Sequence, residues 1–230
     1  MDLTPFSIPF AETTPFGELV AVHLPPGLDD EVPAEVLGGL FPEERAIAEE
    51  ARRRRRIEWC GGRLALRLAT ERLGVAPGPV LRGERGEPLL PEGLTASVSH
   101  KRRIAAALVA RAGQGTVGLD LEELEPARMS IAPRVLRPEE EEEVFALPED
   151  RRWRSLATRF AVKEAVYKAL HPHVRRYVRF SEASVRLEPG AEPEVSLHLE
   201  GGEGPFRLEA RAEARAGHLI ASVRISSPSR

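Results

Sequence analysis

The sequence predicts an α+β fold made of two pseudo-symmetric halves that arose by internal duplication. Strand-like and helix-like stretches occur in both halves. A fixed offset of 96 residues carries Pro42–Glu43–Glu44 onto Pro138–Glu139–Glu140 and Arg55–Arg56 onto Arg151–Arg152. The same offset carries Arg63 onto Arg159 and Arg72 onto Lys168. One such repeat is a duplication and not a solenoid. The chain has 230 residues, 42% of them hydrophobic, which is enough for a sizeable core. The halves are expected at 1–112 and 113–230, packed as a pseudo-dimer with a ligand site where they meet.

In order, Gly17 to Leu24 reads as a strand that Pro25–Pro26–Gly27 ends. Pro42–Glu43–Glu44 opens a helix, with proline first and acids in the first turn, and this helix runs into the arginines at 52–56. A second helix is expected from Gly62 to Leu73, stopped by Gly74. A Gly/Pro-rich loop spans Pro77 to Pro91, and short strands follow at Thr95 to Ser99 and Ile104 to Ala110. In the second half, 113–120 aligns with the 17–24 strand, placing Leu24 opposite Asp120 and Pro26 opposite Glu122. The helix Ser155 to Leu170 is the strongest in the chain, with Leu156, Phe160, Tyr167 and Leu170 as its core stripe. Gly217 to Ile225 resembles the Ile104 strand. Trp59 and Trp153 are expected in the core.

Composition narrows the function. A net charge of −3 argues against a general nucleic-acid partner, and no apolar run reaches transmembrane length, so no membrane partner is expected. Cys60 is the single cysteine, which excludes an internal disulfide and a cysteine metal cluster. The N-terminus lacks signal-peptide character, so a reducing cytoplasm is expected.

The chemistry concentrates around Val117-Gly-Leu-Asp-Leu-Glu122. In a strand, Asp120 and Glu122 share one face and Leu119 and Leu121 the other. Two hard oxygen ligands so placed suit Mg²⁺, which takes one or two carboxylates and leaves other positions to water and phosphate. On the strong helix, Ala157, Ala161, Glu164 and Lys168 form a stripe whose alanines would let a strand approach closely.

Val117-Gly-Leu-Asp-Leu-Glu122, followed by Phe160-Ala-Val-Lys-Glu-Ala-Val-Tyr-Lys168, resembles the paired signature of Sfp-type 4′-phosphopantetheinyl transferases. Val80 to His100, ending Ser-Val-Ser-His, looks closest to the enterobactin-synthase-type branch. The resemblance covers most of the chain, with the motifs in family order. It implies the 4′-phosphopantetheinyl transferase fold and transfer of 4′-phosphopantetheine from coenzyme A to a carrier-protein serine. The released product would be 3′,5′-adenosine bisphosphate, with Mg²⁺ as cofactor. Implied metal ligands are Asp120, Glu122 and Glu164. Lys168 is implied to neutralise the leaving phosphate. Glu164, a metal-bound water or Glu140 would take the serine proton.

Coenzyme A contacts are implied for Arg56, Arg63, Ser99, His100 and Lys163, and Gly61–Gly62 would let backbone amides approach a phosphate. Where many members carry Gly-Lys-Pro, this chain has Gly86–Glu87–Pro88, so the lysine's contact would be lost or pass to Arg85 or Arg82. A non-catalytic coenzyme A or carrier-protein binder is the alternative, and an acidic-metal nuclease or phosphatase a second. Against both stands the complete Asp120, Glu122, Glu164 and Lys168 set. The expected partners are an acyl or peptidyl carrier protein, tilted toward siderophore or polyketide secondary metabolism, and coenzyme A. The working form is expected to be a monomer, since one chain holds both halves.

Overall fold

The computed structural model of the chain describes residues 5–26, 32–51, 54–83 and 86–227. It divides into two compact units, Met1–Gln114 and Gly115–Arg230.

Unit 1 holds strands β1 (Ser7–Thr14) and β2 (Gly17–His23), then helices α1 (Ala34–Gly38), α2 (Pro42–Glu50) and α3 (Arg54–Arg72). A two-stranded hairpin of β3 (Leu81–Arg82) and β4 (Pro88–Leu89) precedes β5 (Leu94–Lys101) and β6 (Ile104–Arg111). The main sheet is antiparallel in the order β1-β2-β6-β5. Alternation along β2 and β6 sends Val20, Val22, Ala105, Ala107 and Val109 into one core with Ile57, Ala65 and Leu66 of α3.

The arginine run does not extend the first helix, as the sequence suggested. α2 stops at Glu50 because Ala51 is extended, and Arg54 to Arg56 begin α3. Arginine is a good helix former, so a basic run starts a helix as readily as it ends one.

Unit 2 holds β7 (Thr116–Glu123), α4 (Ala132–Val135), α5 (Pro138–Ala146) and α6 (Glu149–Val174). Then come β8 (Ala183–Arg186), β9 (Glu194–Leu197), β10 (Arg207–Arg215) and β11 (His218–Ser226). The antiparallel sheet runs β10-β11-β7, and β8 pairs with β9. α6 lies on β7 and β11, burying Leu156, Val162, Val166 and Leu170 with Val223 and Ile225. Phe160 and Tyr167, expected in the same stripe, are only partly buried. Trp153 is in the core, whereas Trp59 is partly exposed and donates its Nε1–H to Glu44 O at 3.1 Å.

The duplication is visible in the packing, with one change of register. Gly17 and Gly115 both have positive φ, 139° and 102°, and a Cβ on either would come within 2.3 Å of the neighbouring strand's carbonyl, Val109 O or Ile225 O. The strands therefore match at Gly17 and Gly115, two residues beyond the helix offset. Residues 112–114 form a 3₁₀ turn and β7 begins at Thr116, not at 113. Pairing agrees: Val22 faces Ala105 across its sheet as Asp120 faces Ala221. The partner of Asp120 in the first half is thus Val22, not Leu24, and that of Glu122 is Leu24, not Pro26.

Each unit also buries a glutamate at the start of its nine-residue α-helix, α2 or α5. Glu44 accepts the N–H groups of Phe41 at 3.2 Å and Val80 at 2.9 Å, with Arg63 at 4.0 Å and Arg67 at 3.6 Å. Glu140 accepts those of Arg137 at 2.8 Å and Val185 at 2.7 Å, and Lys163 Nζ at 2.5 Å. In both units the carboxylate joins a helix start to a distant backbone segment, satisfying donors that burial would otherwise leave costly. Removing one partner of such a buried pair leaves an uncompensated charge, at about 3–5 kcal/mol. Lys163→Ala is expected to lower unfolding free energy by about that amount, read from urea denaturation. A loss below about 1 kcal/mol would show that the pair is dispensable.

α6 meets β7 at Gly118, where a Cβ would lie 1.8 Å from Ala165 O and 2.9 Å from Ala169 N. No side chain fits there without moving the helix off the strand. Gly118→Ala is expected to cost at least about 1–3 kcal/mol of stability, the scale of an overpacked core. A thermal midpoint equal to that of the parent would disprove this contact.

Candidate active site

The close approach of α6 to β7 brings the predicted acids and lysine together. Asp120 and Glu122 share one face of β7 and are both buried, Glu122 completely. Lys168 Nζ on α6 donates to Asp120 Oδ1 and to Leu119 O, each at 2.8 Å. Glu164 sits one turn earlier on α6 and is partly exposed. The small residues behind this approach are Gly118, Ala165 and Ala169. Ala157 and Ala161, credited with it from the sequence, are instead fully buried in the core of unit 2.

Arg128 is a residue that sequence reasoning missed. Its Nη2 donates to Glu122 Oε1, which also accepts the Glu123 N–H at 2.9 Å, and its guanidinium lies 5.5 Å from the Trp153 ring. Arg128 stands in no motif. Only the rule that a fully buried carboxylate carries a counter-charge would have called for a cation here, without saying which.

Several expected site residues turn out to serve the fold. Lys163 is almost fully buried, donating to Glu140 and to Val135 O at 2.9 Å. Burial pushes its ammonium pKa down while Glu140 pulls it back up. Glu140 is buried as a helix cap, with Lys163 and two backbone amides as its partners. Arg56 Nε donates to Ala48 O at 3.0 Å and Ala51 O at 3.1 Å, capping the C-terminus of α2. Arg152 does the same for Leu147 O at the end of α5.

Arg63 lies in the middle of α3, not at its start, and is 6% exposed. It stacks 3.6 Å from the Trp59 ring centroid, pairs with Glu44 and donates to Leu81 O, and burial brings its pKa down to about 10. Gly61 and Gly62 are interior to α3, so their amides are spent within the helix. Their smallness serves packing: a Cβ on Gly61 would meet Leu24 Cδ2 at 2.3 Å. Arg85 lies outside the described residues.

His100, near the end of β5, is partly exposed, with Ser99 buried beside it, and Arg82 in β3 is exposed. Its Nδ1 is 3.4 Å from Glu58 Oε2 on α3, and Arg54 Nε reaches Glu58 Oε1 at 2.8 Å. Glu58 and Arg63 are five positions apart on α3 and leave it in different directions, Glu58 toward His100 and Arg63 toward Glu44 and Leu81 O.

Among the described residues, no three His, Cys, Asp or Glu side chains stand together as a ready metal set. The expected trio of Asp120, Glu122 and Glu164 is therefore not preassembled. The donor chemistry still suits Mg²⁺: two carboxylates on one strand face match the one or two it usually takes. Both now carry a cation, Lys168 or Arg128, where positive charge is favoured.

With this geometry established, the chain can be compared with known proteins. A model of the 4′-phosphopantetheinyl transferase N-terminal domain matches residues 43–110. A model of the 4′-phosphopantetheinyl transferase superfamily matches residues 116–223. The chain is 32% identical to the 4′-phosphopantetheinyl transferase Svp of Streptomyces mobaraensis over 207 residues, covering 86% of this chain and 83% of that protein. It is 32% identical to the 4′-phosphopantetheinyl transferase PptT of Mycobacterium tuberculosis, over 75% of this chain and 78% of that one. With enterobactin synthase component D of Salmonella typhimurium it shares 32% identity, over 65% of this chain and 61% of that protein. Two adjoining family matches and relatives aligned over most of their length place this chain in the 4′-phosphopantetheinyl transferase superfamily.

Proposed function

We propose that this protein is an enzyme that transfers 4′-phosphopantetheine from coenzyme A to a serine of a carrier protein, releasing 3′,5′-adenosine bisphosphate. The observation that carries the reading is the contact of Lys168 on α6 with Asp120 on β7, with Glu164 one turn away. Relatives named 4′-phosphopantetheinyl transferases, at about 32% identity over most of the chain, support it.

The serine oxygen bonds to the β-phosphorus of the pyrophosphate, and the bond from that phosphorus to the bridging oxygen breaks. Negative charge then builds on the departing α-phosphate, where fixed cations lower the barrier. Lys168 has three N–H donors and uses two on Asp120 and Leu119, so one is available to that phosphate. Glu164 takes the serine proton, since Glu140 is locked in its cap. Mg²⁺, when bound, would neutralise the pyrophosphate, held by Asp120 and Glu122 with Glu164 beside them. His100 contacts the 3′-phosphate of coenzyme A.

Among the described residues no helix is long and apolar enough to cross a membrane. We further propose that the enzyme acts as a monomer, because both copies of the repeat lie in one chain. Its carriers are peptidyl or polyketide carriers of secondary metabolism, siderophore assembly included, and rates across a panel of carrier proteins test that choice.

Incubation with coenzyme A, Mg²⁺ and a carrier protein should add the mass of one phosphopantetheine to the carrier. Asp120→Asn and Lys168→Ala should each slow this by about 10²–10³-fold with the circular-dichroism spectrum intact. Either variant folding normally and transferring at the parent's rate would remove that residue from the mechanism. No mass gain on any carrier of the panel would leave a binding protein instead of a transferase.

A further inference from the structure

Glu58 has no part in the chemistry above, although its neighbour His100 does. Glu58 is 8% exposed and is approached by two arginines and by His100. Half-exposed Arg54 pairs with Oε1 at 2.8 Å, exposed Arg55 approaches Oε2 at 3.8 Å, and His100 Nδ1 lies 3.4 Å from the same oxygen. A carboxylate buried to this degree is costly unless its charge is used, and here most of its contacts are with side chains that could bind an anion.

We propose that Glu58 is a positioning residue that sets the His100 ring for its contact with coenzyme A. The inference rests on the reading that His100 touches the 3′-phosphate. With Glu58 Oε2 3.4 Å from Nδ1, the ring is held on that side and its Nε2 edge is turned away from the carboxylate. A hydrogen bond from one ring nitrogen to a carboxylate fixes the orientation and proton placement of the other, as it does for metal-bound histidines. Glu58 also ties the start of α3, through Arg54, to the end of β5, so the ring and both arginines share one anchor.

The sign of the effect separates this role from simple electrostatics. By Coulomb's law alone, removing a negative charge beside a phosphate-binding group should tighten coenzyme A binding. A positioning role predicts the reverse. Dissociation constants for coenzyme A and dephospho-coenzyme A would be measured by calorimetry for the parent, Glu58→Gln, His100→Ala and the double variant. Glu58→Gln keeps the shape and hydrogen-bonding capacity of the side chain, which protects the fold.

The expected result is a preference for coenzyme A over dephospho-coenzyme A reduced about tenfold in Glu58→Gln, the scale of one charge-assisted hydrogen bond. The same substitution should change nothing further in the His100→Ala background, and the ring-nitrogen NMR signals of His100 should move in Glu58→Gln. A preference kept in Glu58→Gln but lost in His100→Ala would overturn the positioning role and leave the His100 contact standing. An equal loss from Glu58→Gln with and without His100, or unmoved ring signals, would also overturn it. If His100→Ala itself leaves the preference intact, the phosphate contact fails first and the inference fails with it.

Discussion

Everything distinctive about unit 2 follows from one steric constraint, the absence of a side chain at Gly118. With no Cβ there, the α6 backbone at Ala165 and Ala169 rests directly on β7. Helix and strand are then close enough for Lys168 to reach Asp120 and the Leu119 carbonyl at 2.8 Å. A looser packing would carry Lys168 out of reach of Asp120. The same contact gives the core around Leu156, Val166 and Val223 its density, so stability and site geometry share one origin.

The two halves show what duplication kept and what it changed. Both keep a buried glutamate at a helix start, a C-terminal arginine cap on the preceding short helix, and a glycine with positive φ before the first shared strand. These features set how each helix sits on its sheet. The first half, however, has Val22 and Leu24 where the second has Asp120 and Glu122. In unit 1 that strand face is ordinary apolar core. In unit 2 it carries two carboxylates that had to be supplied with counter-charges, Lys168 from α6 and Arg128 from the segment after β7. A helix pattern repeated at 96 and a strand pattern repeated at 98 are what one expects if the connecting loops changed length after the copies separated.

Where sequence reasoning went astray, the cause was tertiary override of local preference. Arg207 to Arg215 reads Arg-Leu-Glu-Ala-Arg-Ala-Glu-Ala-Arg, rich in helix formers, and was not expected as a strand. It is nonetheless β10, paired along its whole length with β11, because the alternation of charged and small residues suits an edge strand with one wet face. β1 has a related character, since Pro9 within it, Pro15 just past its end and its polar positions mark an edge. The pairing of Lys163 with Glu140, 23 positions apart, is likewise invisible in either motif. Which charges are buried as partners depends on what crosses them from elsewhere in the fold.

The sequence by itself pointed to a duplicated α+β protein and singled out β7 and α6, with Asp120, Glu122, Glu164 and Lys168, as the candidate site. Those features are periodic or motif-bound, and so are legible along one dimension. Only the tertiary structure decided that Lys168 holds Asp120, that Arg128 answers Glu122, and that Arg56, Arg63 and Lys163 are anchored in packing. It alone placed Glu58 behind His100, 42 positions away in the chain. Burial and charge pairing are set by surfaces that meet only on folding, and no spacing within a single segment encodes them.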